Sequence, residues 1–459
     1  MAAGIFSEAL CGITLVLALI LATHPFVTYP LSLGLLPRKR YSAKTRGKGG
    51  IRALHRPAVA ICLCAFNEED VIVDKLNSLL RMAELYGPAT IHVYSDGSTD
   101  RTNALLEEFA TRADIVISPH RLGKTHGMNI LANRSQSELV MFTDANVVMP
   151  EDALIQLTQP FHDPACGCTT ARLVYVNRHE TATALIGALY WAIEEFIKGI
   201  ESSCGFVMGV DGASFVVRRT CYHQPPDDLI DDLYVTLRVL LDGMRVVRVS
   251  SVAVYERGAV DAKEEYQRKV RIACQAMRVH RRLWPRLRRM PVHLLYAYLS
   301  HRLMKWMSPY CYLIACLAAF ALLGMQTSGA VAMLTLGIGA ALLTAGQVFR
   351  IPGVSLISNA VVALAGVASG VLKGMLSQQA FVIWNPAASV RKGTQERAGY
   401  CAEIDPLSCT ARPSGCTRIS RIATSRATTI STPENSITPL QRACVHAKPP
   451  AEPSTLDPM

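Results

Sequence analysis

The chain has 459 residues, half of them hydrophobic, and a formal net charge of +11 from 47 Lys and Arg against 36 Asp and Glu. That length allows two or three domains with a full core. The 14 cysteines include no CxxC pair, and the Cys62/Cys64 and Cys166/Cys168 alternations suggest neither a disulfide framework nor a structural zinc site.

In chain order, residues 9–37 contain no Asp, Glu, Lys or Arg. A spanning helix needs ~20 mostly apolar residues, so a first membrane span is expected near 9–30, within an N-terminal segment 1–37. No Lys or Arg precedes it, so it does not read as a cleaved signal. Arg38, Lys39, Arg40, Lys44, Arg46 and Lys48 follow in a basic linker, 38–56. The positive-inside bias places that linker in the cytoplasm.

Residues 57–66 (PAVAICLCAF) read as a buried strand, and 69–85 as a helix with apolar Val71, Leu76, Leu79, Leu80 and Met82. Strands are expected at 89–95, 113–118 and 138–143, with helices at 102–110 and 125–133 between them. This alternation predicts an α/β protein with a parallel, doubly wound sheet. Residues 212–217 and 246–254 read as further strands. A helix over 228–241 separates them, with Asp228 at its N-cap and Gly243 closing it.

Arg281, Arg282, Arg286, Arg288 and Arg289 precede two more charge-free runs, 306–349 and 351–372. Two spans are expected between 308 and 348, broken at 326–329, and a fourth near 354–372, within a membrane segment 291–390. Pro309 would stand near the first turn of the second span. With both basic clusters cytoplasmic, the intervening 57–290 is a cytosolic domain with reduced cysteines. The clusters suit anionic lipid headgroups. Nucleic acid is not an expected partner, because they abut spans and lack an interleaved aromatic platform. Gly337, Gly339, Gly346, Gly366 and Gly370 mark close helix packing, internal or against another membrane protein. Ser, Thr, Pro and Arg dominate 391–459, which reads as a disordered tail. Four full spans place that tail outside, whereas Arg391 and Lys392 favour the cytoplasm. A re-entrant or interfacial segment around 376–384 reconciles the two.

Three acidic signatures stand out: Ser95-Asp96-Gly97-Ser98-Thr99-Asp100, Thr143-Asp144-Ala145-Asn146, and Ile230-Asp231-Asp232. The first two end strands, and in an open α/β sheet ligands bind beyond the carboxyl ends of strands. Taken alone, Asp96 reads as an Asx turn before a helix capped by Thr99 or Asp100. Asp144 and Asn146 have the spacing of two oxygen donors around a cation, or of a plain turn. Asp231 and Asp232 lie inside the first turn of their helix. Mutual repulsion there would raise a carboxylate pKa, which suits a general base.

The order of these signatures resembles the family 2 glycosyltransferases of the GT-A fold, the group that includes cellulose and hyaluronan synthases. The matching stretches are Cys64-Ala65-Phe66-Asn67-Glu68-Glu69, Asp96 to Asp100, Gly123-Lys124 with Asn129, Phe142 to Asn146, Gly209-Val210-Asp211-Gly212 with Arg218-Arg219, and Asp231-Asp232-Leu233 through Arg238. They cover 57–277. The resemblance implies a GT-A domain over 57–290 that moves a sugar from a nucleotide-sugar, a UDP-sugar, to a saccharide or lipid-linked hydroxyl with inversion. It implies that Asp96, with Ala65, Asn67 and Glu68, holds uracil and ribose. Asp144 and Asn146 would bind Mg2+ or Mn2+ at the diphosphate, Lys124 would neutralise phosphate charge, and Asp232 would be the base with Asp231 beside it. On its residues alone, Lys124 reads equally as a solvated Lys at a helix start.

One stretch departs from the processive synthases, which carry a Gln-x-x-Arg-Trp motif. Here it is Gln267-Arg268-Lys269-Val270-Arg271-Ile272. If Arg271 takes the Arg position, Arg268 replaces Gln and Ile272 replaces Trp. Processive synthesis and an export channel are therefore in doubt, and Arg271 is kept as a diphosphate contact. Otherwise the stretch reads as a basic interfacial helix. Two alternatives stay open: a polyprenyl-phosphate sugar transferase, and a catalytically silent sugar-nucleotide sensor or scaffold in a membrane export complex.

Overall fold

A computed structural model of the protein describes residues 2–35 and 56–376. The basic residues from Arg38 to Lys48, the tail from 391 and nearly all of 376–384 lie outside the described residues.

Helix α1 (Ala2–Thr23) leads through α2 (Thr28–Ser32) to an α/β domain. Its elements are β1 (Val59–Ala65), α3 (Ile72–Tyr86), β2 (Ala89–Asp96), α4 (Thr102–Glu107), β3 (Asp114–Ser118), α5 (Lys124–Arg134) and β4 (Leu139–Asp144). There follow α6 (Ala153–Thr158), β5 (Cys166–Tyr175), α7 (Ala182–Cys204), β6 (Ser214–Arg218), α8 (Asp231–Leu241), β7 (Arg245–Glu256) and α9 (Ala262–Leu287). Then come α10 (Val292–Ala297), a π-helical turn (Tyr298–Leu303), α11 (Met304–Gln326), α12 (Gly329–Phe349) and α13 (Val354–Leu376).

Among the described residues, seven strands lie in the order β3-β2-β1-β4-β6-β5-β7. All neighbours are parallel except β6, which runs antiparallel to both β4 and β5. All seven β1 residues are buried, as a strand covered on both faces requires. Ala60, Cys62 and Cys64 join one core cluster, while Val59, Ile61, Leu63 and Ala65 join the other. The expected α/β class and mostly parallel sheet are present.

Short α6, β5 and α7 have no counterpart in the sequence reading. Strand β5 (CGCTTARLVY) lacks an apolar run, and α7 places four charged side chains in an otherwise apolar helix. At α8, Ile230 occupies the N-cap without a side-chain bond, so Asp228 is not the cap. It pairs instead with Arg278 of α9. Asp100 does serve its turn, accepting the Thr102 N–H at 2.9 Å.

Among the described residues, four helices are long and apolar enough to cross a membrane: Gly4–Thr23, Val292–Gln326, Gly329–Phe349 and Val354–Leu376. Pro309 lies inside α11, which is preceded by the π-helical turn, and not at a helix start. Gly366, Gly370 and Gly374 form a seam along α13 into which α9 seats. A Cβ on Gly366 would come 3.0 Å from the Tyr266 carbonyl oxygen, one on Gly374 2.7 Å from that of Cys274, and one on Gly370 would strike the Val270 carbonyl. Gly337 and Gly339 have nothing within 4 Å. The stretch 268–271 is therefore not a free interfacial helix face, since its backbone is docked on α13. Gly370→Leu forces these helices apart. We expect it to cost about 1–3 kcal/mol or more, seen as a lower unfolding midpoint in detergent.

Candidate functional site

The carboxyl edge of the sheet gathers the acidic residues because β1, β2 and β4 are parallel neighbours ending on one side. Ala65 closes β1, buried. Asn67 follows in the left-handed region at φ 52°, and its Oδ1 accepts the Thr99 N–H at 2.8 Å. Glu68 is buried, and its N–H donates to Thr102 Oγ1 at 2.8 Å. This segment is thus braced against the turn after β2.

Asp96 ends β2, and its Oδ1 accepts the N–H groups of Leu122 at 2.7 Å and Gly123 at 3.1 Å. It thereby fixes the turn that delivers Lys124, the first residue of α5. Lys124 is not a solvated helix-start lysine. Its Nζ lies 2.6 Å from Asp144 Oδ1 at the end of β4 and 4.0 Å from Asp231 Oδ2 at the start of α8. Burial opposes its charge, but Asp144, Asp231 and Asp232 outweigh that and raise its pKa.

Asp232 accepts the Leu233 N–H at 2.5 Å. Gly212 packs against it so closely that a Cβ would sit 3.4 Å from Asp232 Oδ2 and 3.3 Å from Lys124 Nζ. Burial, then the neighbouring Asp231 carboxylate, push the Asp232 carboxyl up to about 6. Asn146 turns its amide nitrogen to Glu256 Oε1 at 3.2 Å, at the end of β7. Asp144, Asn146 and Glu256 line one cavity of about 810 Å3 together with Lys124, Asp232 and Arg271. Burial, then Arg268, bring the Arg271 guanidinium down to about 10. Arg268 itself donates to the Tyr175 hydroxyl at 2.8 Å.

Among the described residues, no group of three or more His, Cys, Asp or Glu side chains is placed to hold a metal. Oxygen donors alone suit Mg2+ or Mn2+, which take one or two carboxylates and fill the rest of their shell from phosphates and water. Asp144, Asn146 and Glu256 fit that sparse pattern.

The inner wall of the same cavity was not foreseen. It includes Glu194 and Lys198 of α7, Arg302 from the π-helical turn, and Lys305, Trp306 and Lys373 from α11 and α13. Glu194 bonds Arg302 at 2.9 Å and Lys305 at 2.7 Å. His301 bridges to Glu201 at 2.7 Å, which also accepts the Tyr29 hydroxyl at 2.7 Å. One signal was available: Glu194, Lys198 and Glu201 recur at helical spacing on one face of an apolar run.

Residues 56–275 match the family model described as glycosyltransferase like family 2. That stretch, just under half of the chain, is similar to the family 2 glycosyltransferases. It is 25% identical over 213 residues to an N-acetylglucosaminyltransferase of Rhizobium leguminosarum bv. viciae, covering 42% of this chain and 50% of the relative. It is 25% identical over 215 residues to a beta-monoglucosyldiacylglycerol synthase of Nostoc sp., covering 45% and 46%. The chain thus spans about half the length of these relatives. A mannosyltransferase from Pyrobaculum calidifontis, solved with GDP-Man and Mn2+, superposes with a TM-score of 0.61 at 17% identity, covering 81% of this chain and all of that one. At that identity the likeness concerns the fold.

Proposed function

We propose that this transferase moves a sugar, with inversion, from a UDP-sugar to a hydroxyl on a lipid-linked or saccharide acceptor at the cytoplasmic face of a membrane. The observation that carries the reading is the gathering of Asp144 and Asp231 on Lys124, with Asp232 and Lys124 both beside Gly212, in one cavity. Asp96 and the Ala65–Glu68 segment bind the nucleoside. Asp144, Asn146 and Glu256 would hold a divalent ion, which when bound supplies positive charge at the diphosphate. Lys124 and Arg271 stabilise the charge that develops on the leaving diphosphate. Asp232 takes the acceptor hydroxyl's proton as that oxygen attacks the anomeric carbon and the bond to the diphosphate breaks. One base and no covalent intermediate give inversion. The names of the relatives favour N-acetylglucosamine or glucose as the sugar. Trp306 and Lys373, from helices apolar enough to span a membrane, line the cavity. A lipid-borne acceptor would therefore reach Asp232 from the membrane side.

The test is release of nucleoside diphosphate from a panel of nucleotide sugars by protein in detergent with Mg2+ or Mn2+. Metal-dependent release from one donor, lost in Asp144→Ala, is the expected result. Silence across the panel with nucleotide still bound would favour the sensor alternative. Extraction of product into organic solvent identifies a lipid acceptor, and lability of that product to mild acid marks a phosphate linkage.

Lys124→Met supplies a second check. Lys124 pulls the Asp232 pKa down against burial and Asp231. Without it, Asp232 ionises only above about 6, so the acid limb of kcat/KM moves to higher pH. We expect the rate to fall by about 10²–10³. An unmoved limb would detach Lys124 from the base.

A further inference from the structure

A second cavity, of about 750 Å3, lies where the end of α8, the turn after α7 and the α9–α10 junction meet. Its lining carries Arg238, Arg245, Arg286 and Arg289 against a single carboxylate, Asp242, with His293 beside them. Arg245 pairs with Asp163 at 2.8 Å, and Arg238 lies 3.9 Å from Asp242. Among the described residues, Arg286 and Arg289 have no carboxylate partner, and both are exposed. The remaining walls are apolar, with Phe206, Met290 and Leu294 among them.

The cavity sits at the ends of two apolar helices. Cys204 Sγ is 3.9 Å from the Leu33 carbonyl oxygen, just after α1 and α2. Ser32 Oγ is 2.7 Å from the Tyr296 hydroxyl on α10, which opens the 292–326 helix. Val292, between the lining residues Pro291 and His293, is 83% exposed. Cationic groups set in an apolar recess at the foot of spanning helices match an amphiphile with an anionic head. A ligand-sized recess suits one headgroup, in contrast to diffuse attraction to a charged surface. We propose that this cavity binds the phosphodiester headgroup of an anionic phospholipid, with Arg286 and Arg289 as its phosphate contacts. Its acyl chains would run along Val292 and Leu294. The site is separate from the sugar-transfer cavity and does not depend on the reaction assigned there.

The experiment uses the full chain in neutral detergent and follows binding of a fluorescent phosphatidylglycerol, with phosphatidylcholine as the neutral comparison. Saturable binding of phosphatidylglycerol alone is expected. Arg286→Gln with Arg289→Gln should weaken it roughly 30-fold, from the contribution of two basic residues near a lipid surface. Arg286→Lys with Arg289→Lys should keep most of it. Arg282→Gln with Arg288→Gln removes the same charge from exposed positions outside the cavity and should change binding less than about threefold. Matched unfolding midpoints show that the variants fold. Equal loss in the two Gln pairs would overturn the site in favour of diffuse attraction. So would equal binding of phosphatidylcholine, or displacement by inorganic phosphate at the concentrations at which lipid binds.

Discussion

Asp232→Asn is expected to lower kcat by about 10²–10⁴ while nucleoside diphosphate affinity stays within about threefold. Asn keeps an oxygen where Asp232 accepts the Leu233 N–H, so the start of α8 is preserved and only proton acceptance is lost. The pH dependence follows from the same residue. Burial and Asp231 hold Asp232 at about 6. Below that pH the carboxyl is protonated and cannot act as a base. The wild-type rate therefore falls about tenfold per unit as pH drops beneath 6 and is level above it. Turnover by diphosphate release, with calorimetric titration of UDP, checks both parts. Full turnover in the Asn variant would remove Asp232 as the base. Loss of UDP binding with turnover would make it a structural residue.

The residues at the strand ends were legible because the chemistry is local in sequence. Asp96, Asp144 and Asp232 each follow an apolar run or open a helix, and a parallel sheet must bring such ends together. The long apolar helices were legible for a similar reason: absence of charge over a membrane's thickness is a one-dimensional signal. Glu256 was not, because it closes a strand far along the chain and meets Asn146 only through the sheet order. Asp228 was misread as a cap because local rules favour it there, whereas tertiary pairing with Arg278 claims the side chain. The inner wall was hidden for the same physical reason. Arg302, Lys305 and Glu194 were not singled out, because a charge near a span or within an unread helix carries no mark of burial in the sequence. Their burial depends on α7 lying under the π-helical turn, which periodicity does not report.

That wall leads to the second large effect, in Arg302→Met. The Arg302 guanidinium donates to the Met208 carbonyl at 3.0 Å, the Gly209 carbonyl at 3.1 Å and Glu194 at 2.9 Å. It packs so tightly on Gly209 that any Cβ there would collide with it. Three residues on, a Cβ on Gly212 would meet Lys124 and Asp232. Arg302 thus ties the foot of α11, a candidate span, to the loop beside the proposed base, and we expect it to act as a positioning residue. π-helical turns such as the one carrying it recur at functional sites. Breaking a buried ion pair from one side costs about 3–5 kcal/mol, so the unfolding midpoint should fall markedly. Lysine cannot reproduce a planar fork that bonds two carbonyls and a carboxylate at once, so Arg302→Lys should restore little. Lys305 still pairs with Glu194 at 2.7 Å in Arg302→Met, so the carboxylate keeps a cation and the loss should fall at the low end of that range. The decisive readout is the split between rate and binding in variant protein that its unfolding curve shows to be folded: kcat about tenfold or more below wild type, with KM for the donor moving less. If folded Arg302→Met keeps the wild-type kcat, Arg302 is a buried strut and nothing more. If kcat falls alone, Arg302 positions the loop beside Asp232.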